Sequence, residues 1–329
     1  MPLIIDDAMV DRLLPPKAAH SCVKHAFELL ARGDASDQAR ERSGIDDVTV
    51  NVMSAIAPTL DAVVVKSYPV VRTDVFRASV ITILLHSHST GTLRALVRGD
   101  LLGRRRTAAA SAVAARVMAR PESSTVCLFG TGFQAPAQVD ALVEVLPQLT
   151  TVLVVGRDAR RAEVTAAALR AAHPLLRVES GTCAETAVPR ADVVVTATSA
   201  ATPLFDGRLL APGTHVTAVG SNDARRRELD AVVIDRAAHV VVDSRAVAVK
   251  ECGDLLANGF DPTTVTEFAE VQAGQAVGRA RAEDITVFES HGMALQDLVC
   301  SVHVVDAART AGLGVELDSS WAAVPAGTR

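Results

Sequence analysis

The stretch Val126–Ala137, VCLFGTGFQAPA, decides the fold. Its apolar start, Val126–Phe129, ends in Gly130-Thr131-Gly132 and runs through Phe133 and Gln134 straight into a segment of helical composition. In such a strand–turn–helix the first glycine permits a tight bend and the second lets the backbone approach phosphate oxygens. The helix N-terminus then supplies unpaired N–H groups and a partial positive charge. Ala135 stands where the G-x-G-x-x-G/A pattern wants a small residue packed on the strand. A glycine turn alone is ordinary loop chemistry; the flanking strand and helix are what point to the pyrophosphate of NAD or NADP.

Beyond this turn, short Val-rich runs at Val152–Val155, Val193–Thr196, His215–Val219, Val240–Val242 and Thr286–Phe288 alternate with helical patterns. They are apolar throughout, as strands covered on both faces are, which predicts a mostly parallel, doubly wound α/β sheet of Rossmann type. Asp158–Ala172 reads as an alanine-rich crossover helix with an acidic N-cap. The choice of cofactor phosphate belongs after the second strand, where NAD sites present a carboxylate to the ribose hydroxyls. Here the chain offers Gly156-Arg157, then Arg160 and Arg161, which favours the 2′-phosphate of NADP(H); Asp158 falls one residue late and suits a helix cap. Thr196-Ala197-Thr198, Val219-Gly220-Ser221, and Ser290 with Gly292 follow later strands and are expected to line the cofactor cleft.

The first hundred residues differ. Leu3–Ile5 reads as a strand, Asp6 caps a brief helix stopped at Pro15-Pro16, and Lys17–Arg32 is a helix closed by Gly33. Val48–Val52, Ala62–Lys66, Ala78–His86 and Thr92–Val97 alternate partially, suggesting a sheet covered on one face. The expected division is a substrate domain over 1–119, a dinucleotide domain over 120–299 and a return of 300–329 to the first, with Thr107–Ala119 and Leu295–Ala311 both helical.

At 329 residues, about half of them apolar, the chain can fill two cores. A formal charge of −5 without blocks of like charge argues against nucleic acid and against electrostatic attachment to a membrane, leaving small metabolites as partners. No run approaches the ~18–20 apolar residues of a spanning helix, and Met1–Val10 lacks a leader pattern, so a cytoplasmic location is expected. Cys22, Cys127, Cys183, Cys252 and Cys300 lack zinc-type spacing and read as free, mostly buried thiols. His86 and His88 share a strand face without a visible third ligand, so no metal is expected. His291 reads as a loop histidine satisfied by backbone, and Glu251 and Asp254 as shapers of a local turn.

In Leu101–Ala114, LLGRRRTAAASAVA, Arg106 and Thr107 are read as opening a helix, with the guanidinium placed to grip a carboxylate and Thr107 to cap the helix or meet a phosphate. Spacing alone serves three surface arginines equally well. Taken in order, RTAAASAVAA at 106–115, GTGFQA at 130–135, AVGSNDARRRELD at 218–230 and TVFESHGMALQDLV at 286–299 resemble the ornithine cyclodeaminase and mu-crystallin family. The resemblance implies a two-domain subunit with a discontinuous α+β substrate domain that forms a homodimer. Family members include ornithine cyclodeaminase, alanine dehydrogenase, ketimine reductases of cyclic imino acids and a cofactor-binding crystallin.

Carried across by position, the resemblance makes Arg106 the arginine that holds the substrate carboxylate and Lys66 the active-site lysine. Arg40, with Arg42 as rival, completes the clamp. The chain departs from the pattern in ways that matter. Where ornithine cyclodeaminase has an aspartate the chain has Asn222, which cannot act as a general base near neutrality, and the family's glutamate aligns with Asn51. Gly103 replaces a frequent threonine, and the segment after Lys66 lacks the usual Asn and Pro-Gly spacing. Losing two negative charges disfavours a diammonium substrate. The expected activity is therefore an NAD(P)H-dependent oxidoreductase of imino or amino acids, ahead of ornithine cyclodeaminase and of a crystallin-like NADPH binder without turnover.

Overall fold

The computed structural model describes residues 1–72, 77–318 and 321. The chain opens with β1 (Leu3–Ile5), α1 (Asp7–Leu13) and α2 (Pro16–Arg32). Asp6 caps α1 by accepting from the Met9 N–H at 2.9 Å, and Gly33, at φ 72°, ends α2 in the left-handed region. Then come β2 (Ser36–Ile45), β3 (Val48–Ala57), β4 (Ala62–Arg72), β5 (Arg77–Ser79), β6 (Thr82–His86), β7 (Leu93–Arg98) and α3 (Asp100–Met118). The dinucleotide region follows with β8 (Thr125–Phe129), α4 (Ala135–Val143), β9 (Thr151–Val155), α5 (Ala159–Ala172), β10 (Arg177–Gly181), α6 (Ala184–Ala187), β11 (Val193–Thr196) and β12 (His215–Ala218). It continues through α7 (Ala231–Arg236), β13 (Ala237–Val242), α8 (Arg245–Glu251), α9 (Gly253–Leu256), β14 (Thr266–Glu267), α10 (Phe268–Gln272) and β15 (Ile285–Glu289). The described chain closes with α11 (Ala294–Ala311) and β16 (Val315–Glu316).

Two compact units result, residues 1–106 with 293–329 and residues 107–292, the division falling inside α3. Of the tail, 319, 320 and 322–329 lie outside the described residues. The first unit's sheet runs β16-β1-β7-β6-β4-β3-β2, with β5 beside β4, and is antiparallel except at β1–β7. α11 packs with α2 and against β3 and β4. The alternation of β3 is clean: Asn51, Met53, Ala55 and Ala57 are buried, whereas Val48, Val50, Val52 and Ile56 are exposed.

The second unit's sheet is wholly parallel in the order β10-β9-β8-β11-β12-β15-β13-β14. Its strands β8, β9, β11 and β12 are buried almost throughout, because helices cover both faces. The order reverses between β8 and β11, the crevice at which open α/β sheets bind ligands.

Two local expectations fail. The α3 helix starts at Asp100, not at Thr107. Asp100 supplies the acidic first turn, and Gly103, a tolerated helix residue, does not interrupt the pattern. Thr107 therefore sits mid-helix, buried, with its carbonyl accepting from Ser111 Oγ at 3.5 Å, and it neither caps a helix nor offers free N–H groups. The run Ala78–His86 is likewise split into β5 and β6.

Candidate active site

In the first unit, cations gather on one buried carboxylate. Lys66 lies on the same face of β4 as Ala62 and Val64 and is 2% exposed. Its Nζ donates to both oxygens of Asp297 on α11, at 3.0 and 2.9 Å. Arg106, in the second turn of α3, donates through Nε to Asp297 Oδ1 at 3.2 Å and through Nη1 to Gln296 Oε1 at 3.2 Å. Arg40 arrives from β2 by a local device. The register shifts between Gln38 and Glu41, so Ala39 and Arg40 together oppose Met53, which is itself paired with Lys66. A shift of this kind re-aims a side chain, and Arg40 is buried close enough to act electrostatically on Lys66.

The charges are unbalanced. Among the described residues Lys66 and Arg106 share the carboxylate of Asp297, two cations on one acid. Burial lowers the Lys66 pKa to about 8; Asp297 opposes the shift, while Arg106 and Arg40 add to it. Gln296, fully buried, has no hydrogen-bond partner for its Nε2 among the described residues. An orphaned donor beside surplus positive charge suits a small organic anion.

The two rival arginines part company. Arg42 is exposed and donates through Nε to Asn51 Oδ1 at 3.1 Å, while Asn51 is buried and donates to the Tyr68 carbonyl at 3.4 Å. Of the pair, Arg40 is the one gathered with Lys66. Gly103 stands on the same side: a Cβ there would lie 3.8 Å from Lys66 Nζ.

In the second unit the glycine turn has the geometry a pyrophosphate needs. Gly130 adopts φ 124°, and a Cβ on it would come within 2.5 Å of the Ala197 carbonyl oxygen, so the loops after β8 and β11 close only around glycine. Gly132 has nothing within 4 Å of its Cβ position. With Thr131 half-buried and Phe133 exposed, the turn is open to approach. Gln134 is the N-cap of α4, yet no side chain caps the helix. These features fit a dinucleotide phosphate.

The remaining cleft residues share one edge, at the carboxyl ends of parallel strands, and a buried acid laces them together. Glu228 accepts from the Thr198 N–H at 2.7 Å, Thr198 Oγ1 at 2.6 Å, Thr196 Oγ1 at 2.9 Å and the Gly220 N–H at 2.9 Å. Burial raises its pKa to about 7 against those hydrogen bonds. Ser221 Oγ donates to the Arg226 carbonyl at 2.9 Å. Asp243 Oδ2 accepts from Ser290 Oγ at 3.2 Å and from the Gly292 N–H at 2.6 Å. The hydroxyls expected to face the cofactor thus hold its loops together. Ala197, Val219 and Asn222 are half-buried among the same loops. Arg157, Arg160 and Arg161 are exposed and make no ion pair among the described residues, whereas Asp158 caps α5 by accepting from the Arg161 N–H at 2.9 Å.

Asp297, Gln296 and Glu228 were not singled out from sequence. Asp297 left a signal, as the one acidic residue of the apolar run Ala294–Val305, where a lone carboxylate requires a buried partner.

Similarity to known proteins extends over most of the chain. The model of the ornithine cyclodeaminase/mu-crystallin family matches residues 3–312. Mouse ketimine reductase mu-crystallin is 36% identical over 225 residues, 68% of each protein. The structure of Thermococcus litoralis Δ1-pyrroline-2-carboxylate reductase in complex with NADH and L-proline superposes with a TM-score of 0.90 at 26% identity, covering 96% of this chain and 100% of that one. An archaeal alanine dehydrogenase dimer with bound NAD gives a TM-score of 0.90 at 25% identity, covering 96% and 99%.

Proposed function

Because the chain belongs to the ornithine cyclodeaminase/mu-crystallin family, we propose that it is an NAD(P)H-dependent reductase of α-imino acids, taking a cyclic ketimine carboxylate to the corresponding cyclic amino acid or a linear imine to a simple amino acid. The observation that carries this reading is the burial of Lys66 and Arg106 on the carboxylate of Asp297, with Arg40 buried near enough to act electrostatically on Lys66. Arg106 and Arg40 hold the substrate carboxylate, with the Gln296 amide as a further donor. Lys66, with its pKa lowered to about 8, remains an ammonium at neutral pH yet releases a proton readily, the property required of an acid beside an imine nitrogen. Asp297 keeps that ammonium charged and pointed.

Bound NAD(P)H supplies the hydride. Its pyrophosphate belongs on the Gly130–Gly132 turn and the uncapped start of α4. The three exposed arginines after β9, with Asp158 occupied as a helix cap, support NADP(H) over NAD(H).

Asn51 and Asn222 weigh against ornithine cyclodeamination. The Asn51 amide is already engaged by Arg42 and Tyr68, and neither amide neutralises a second ammonium. The test is a panel of pyrroline-, piperideine- and linear imino-carboxylates with NADH and with NADPH, beside an ammonia assay on L-ornithine. Oxidation of reduced cofactor by an imine, without ammonia from ornithine, is expected. Proline and ammonia formed from ornithine without net NADH change would replace this reading by the cyclodeaminase. Tight NADPH binding with no turnover across the panel would replace it by a crystallin-like binder.

A further inference from the structure

Outside the residues assigned to substrate or cofactor, the second unit buries a second chemical cluster. Cys252 lies between α8 and α9, Glu289 ends β15, and His291 follows two residues later. One ligand atom from each lies within 4.8 Å of the other two, and all three residues are buried. Glu289 is 1% exposed, yet no N–H or O–H group reaches either of its oxygens among the described residues; the Cys252 thiol is the polar hydrogen beside it. The charged groups that bear on it most strongly, Asp254, Glu228 and Asp243, are negative. A carboxylate so placed carries a large desolvation cost, and among the described residues the weak donor of the Cys252 thiol does little to offset it.

From this geometry we infer that Cys252, Glu289 and His291 form a binding site for a divalent transition-metal ion, zinc above all. Thiolate, imidazole and carboxylate are the three side-chain donors zinc takes, and a thiolate selects against magnesium and calcium. Binding releases the thiol proton, and any proton on Glu289, to solvent; Zn²⁺ with one thiolate, one carboxylate and a neutral imidazole is then a neutral centre. Donors around a tetrahedral zinc stand roughly 3.3–3.8 Å apart, so a small rotation of side chains closes the observed cluster onto an ion. A neighbouring carboxylate is already set for the imidazole: Asp243 Oδ1 lies 3.6 Å from His291 Nδ1, while Oδ2 is fixed by Ser290 and Gly292. Such carboxylate–histidine contacts orient metal-bound imidazoles. The three ligands tie the loop after β15 to the α8–α9 junction and leave the fourth tetrahedral position to a water molecule. From sequence no metal is expected, because the cysteines lack zinc-type spacing and His86 and His88 lack a third ligand; Cys252, Glu289 and His291 are separated by 36 residues and then one, and only the neighbouring strand and helix ends bring them together.

The experiment takes the full-length protein from zinc-supplemented cells, dialyses it against metal-free buffer and measures its metal by mass spectrometry. A second sample is refolded from chelator and denaturant with Co²⁺. Retention of about one zinc per chain is expected, together with a thiolate-to-cobalt charge-transfer band in the near ultraviolet. That band should vanish in Cys252→Ser. The isosteric Glu289→Gln, which removes a buried charge and should fold, should lose the zinc, and Asp243→Asn should weaken affinity roughly 10- to 100-fold. The proposal is overturned if wild-type protein retains only traces of zinc and its Tm is unmoved by added Zn²⁺. Zinc retained equally by Cys252→Ser and Glu289→Gln overturns it as well, since the ion would then lie elsewhere.

Discussion

At the scale of single residues, the consequence of an ammonium with a pKa near 8 is a pH profile. If protonated Lys66 assists reduction, kcat/KM for imine reduction should hold below about pH 8 and fall about tenfold per unit above it. Asp297 contributes both charge and hydrogen bonds that raise this pKa, and Asp297→Asn removes the charge and one of the two acceptor oxygens. The alkaline limb should then move to lower pH, and the rate at pH 7 should drop with it. A profile of unchanged midpoint in Asp297→Asn would separate Lys66 from the proton transfer. Arg106→Ala is expected to lower kcat/KM by roughly 100-fold or more, because charge-assisted hydrogen bonds are worth about 1.5–3 kcal/mol each, while leaving cofactor affinity near its original value. Titration of both parameters checks it; equal damage to cofactor binding counts against the clamp. Arg157→Ala should weaken NADPH more than NADH, and an unchanged ratio of the two affinities would remove the argument for the 2′-phosphate.

At the scale of elements, what could be read from sequence was whatever repeats locally. The Val-rich strands, the glycine turn, the Asp6 and Asp158 caps and the Gly33 stop each declare themselves within a few residues, and the structure has all of them where expected. β2 escaped notice because Ser36–Ile45, SDQARERSGI, is almost wholly polar and lies at the edge of its sheet. The register shift that aims Arg40 could not be seen at all, since it is a property of two paired strands. Thr107 was misplaced because Asp100 and Gly103 do not resemble the inside of a helix. Lys66, Arg106 and Arg40 are legible through resemblance, whereas Asp297, on which Lys66 and Arg106 gather, comes from more than 190 residues away along the chain. An element-scale test follows from the shift. Deleting Ala39 restores regular pairing between Gln38 and Glu41, leaving Arg40 to take the place of the missing residue. Substrate KM should rise and the Lys66-dependent pH limb should move upward, because Arg40 is one of the charges lowering that pKa. A variant with an unaltered KM would show that the shift does not serve the site.

At the scale of the whole molecule, two features bear on stability and assembly. His215 is fully buried between Thr286 and Thr217, with ring nitrogens 2.9 Å from each hydroxyl, and burial lowers its pKa to about 3. The unfolded chain therefore binds the extra proton first, so this stabilisation is complete above pH 6.5 and is lost at roughly 1.4 kcal/mol per unit as pH falls from 6.5 toward 3. Urea midpoints measured from pH 7 to 4 should show that slope, and His215→Gln should flatten it. Assembly follows from β3, whose outward residues Val48, Val50, Val52 and Ile56 form an apolar row on a sheet face where solvent-exposed strands ordinarily carry polar side chains. Ile45, at 77% exposure, extends the row along β2. A second copy of the chain is expected to cover this row, since an isologous contact pairs an apolar stripe with itself. Sedimentation at micromolar concentration should give twice the 34.4 kDa chain mass. Val50→Asp with Val52→Asp should shift the protein to the monomer without changing the folded content seen by circular dichroism, because both side chains already face outward. A wild-type monomer, or a double variant that stays dimeric, would place the contact on another surface.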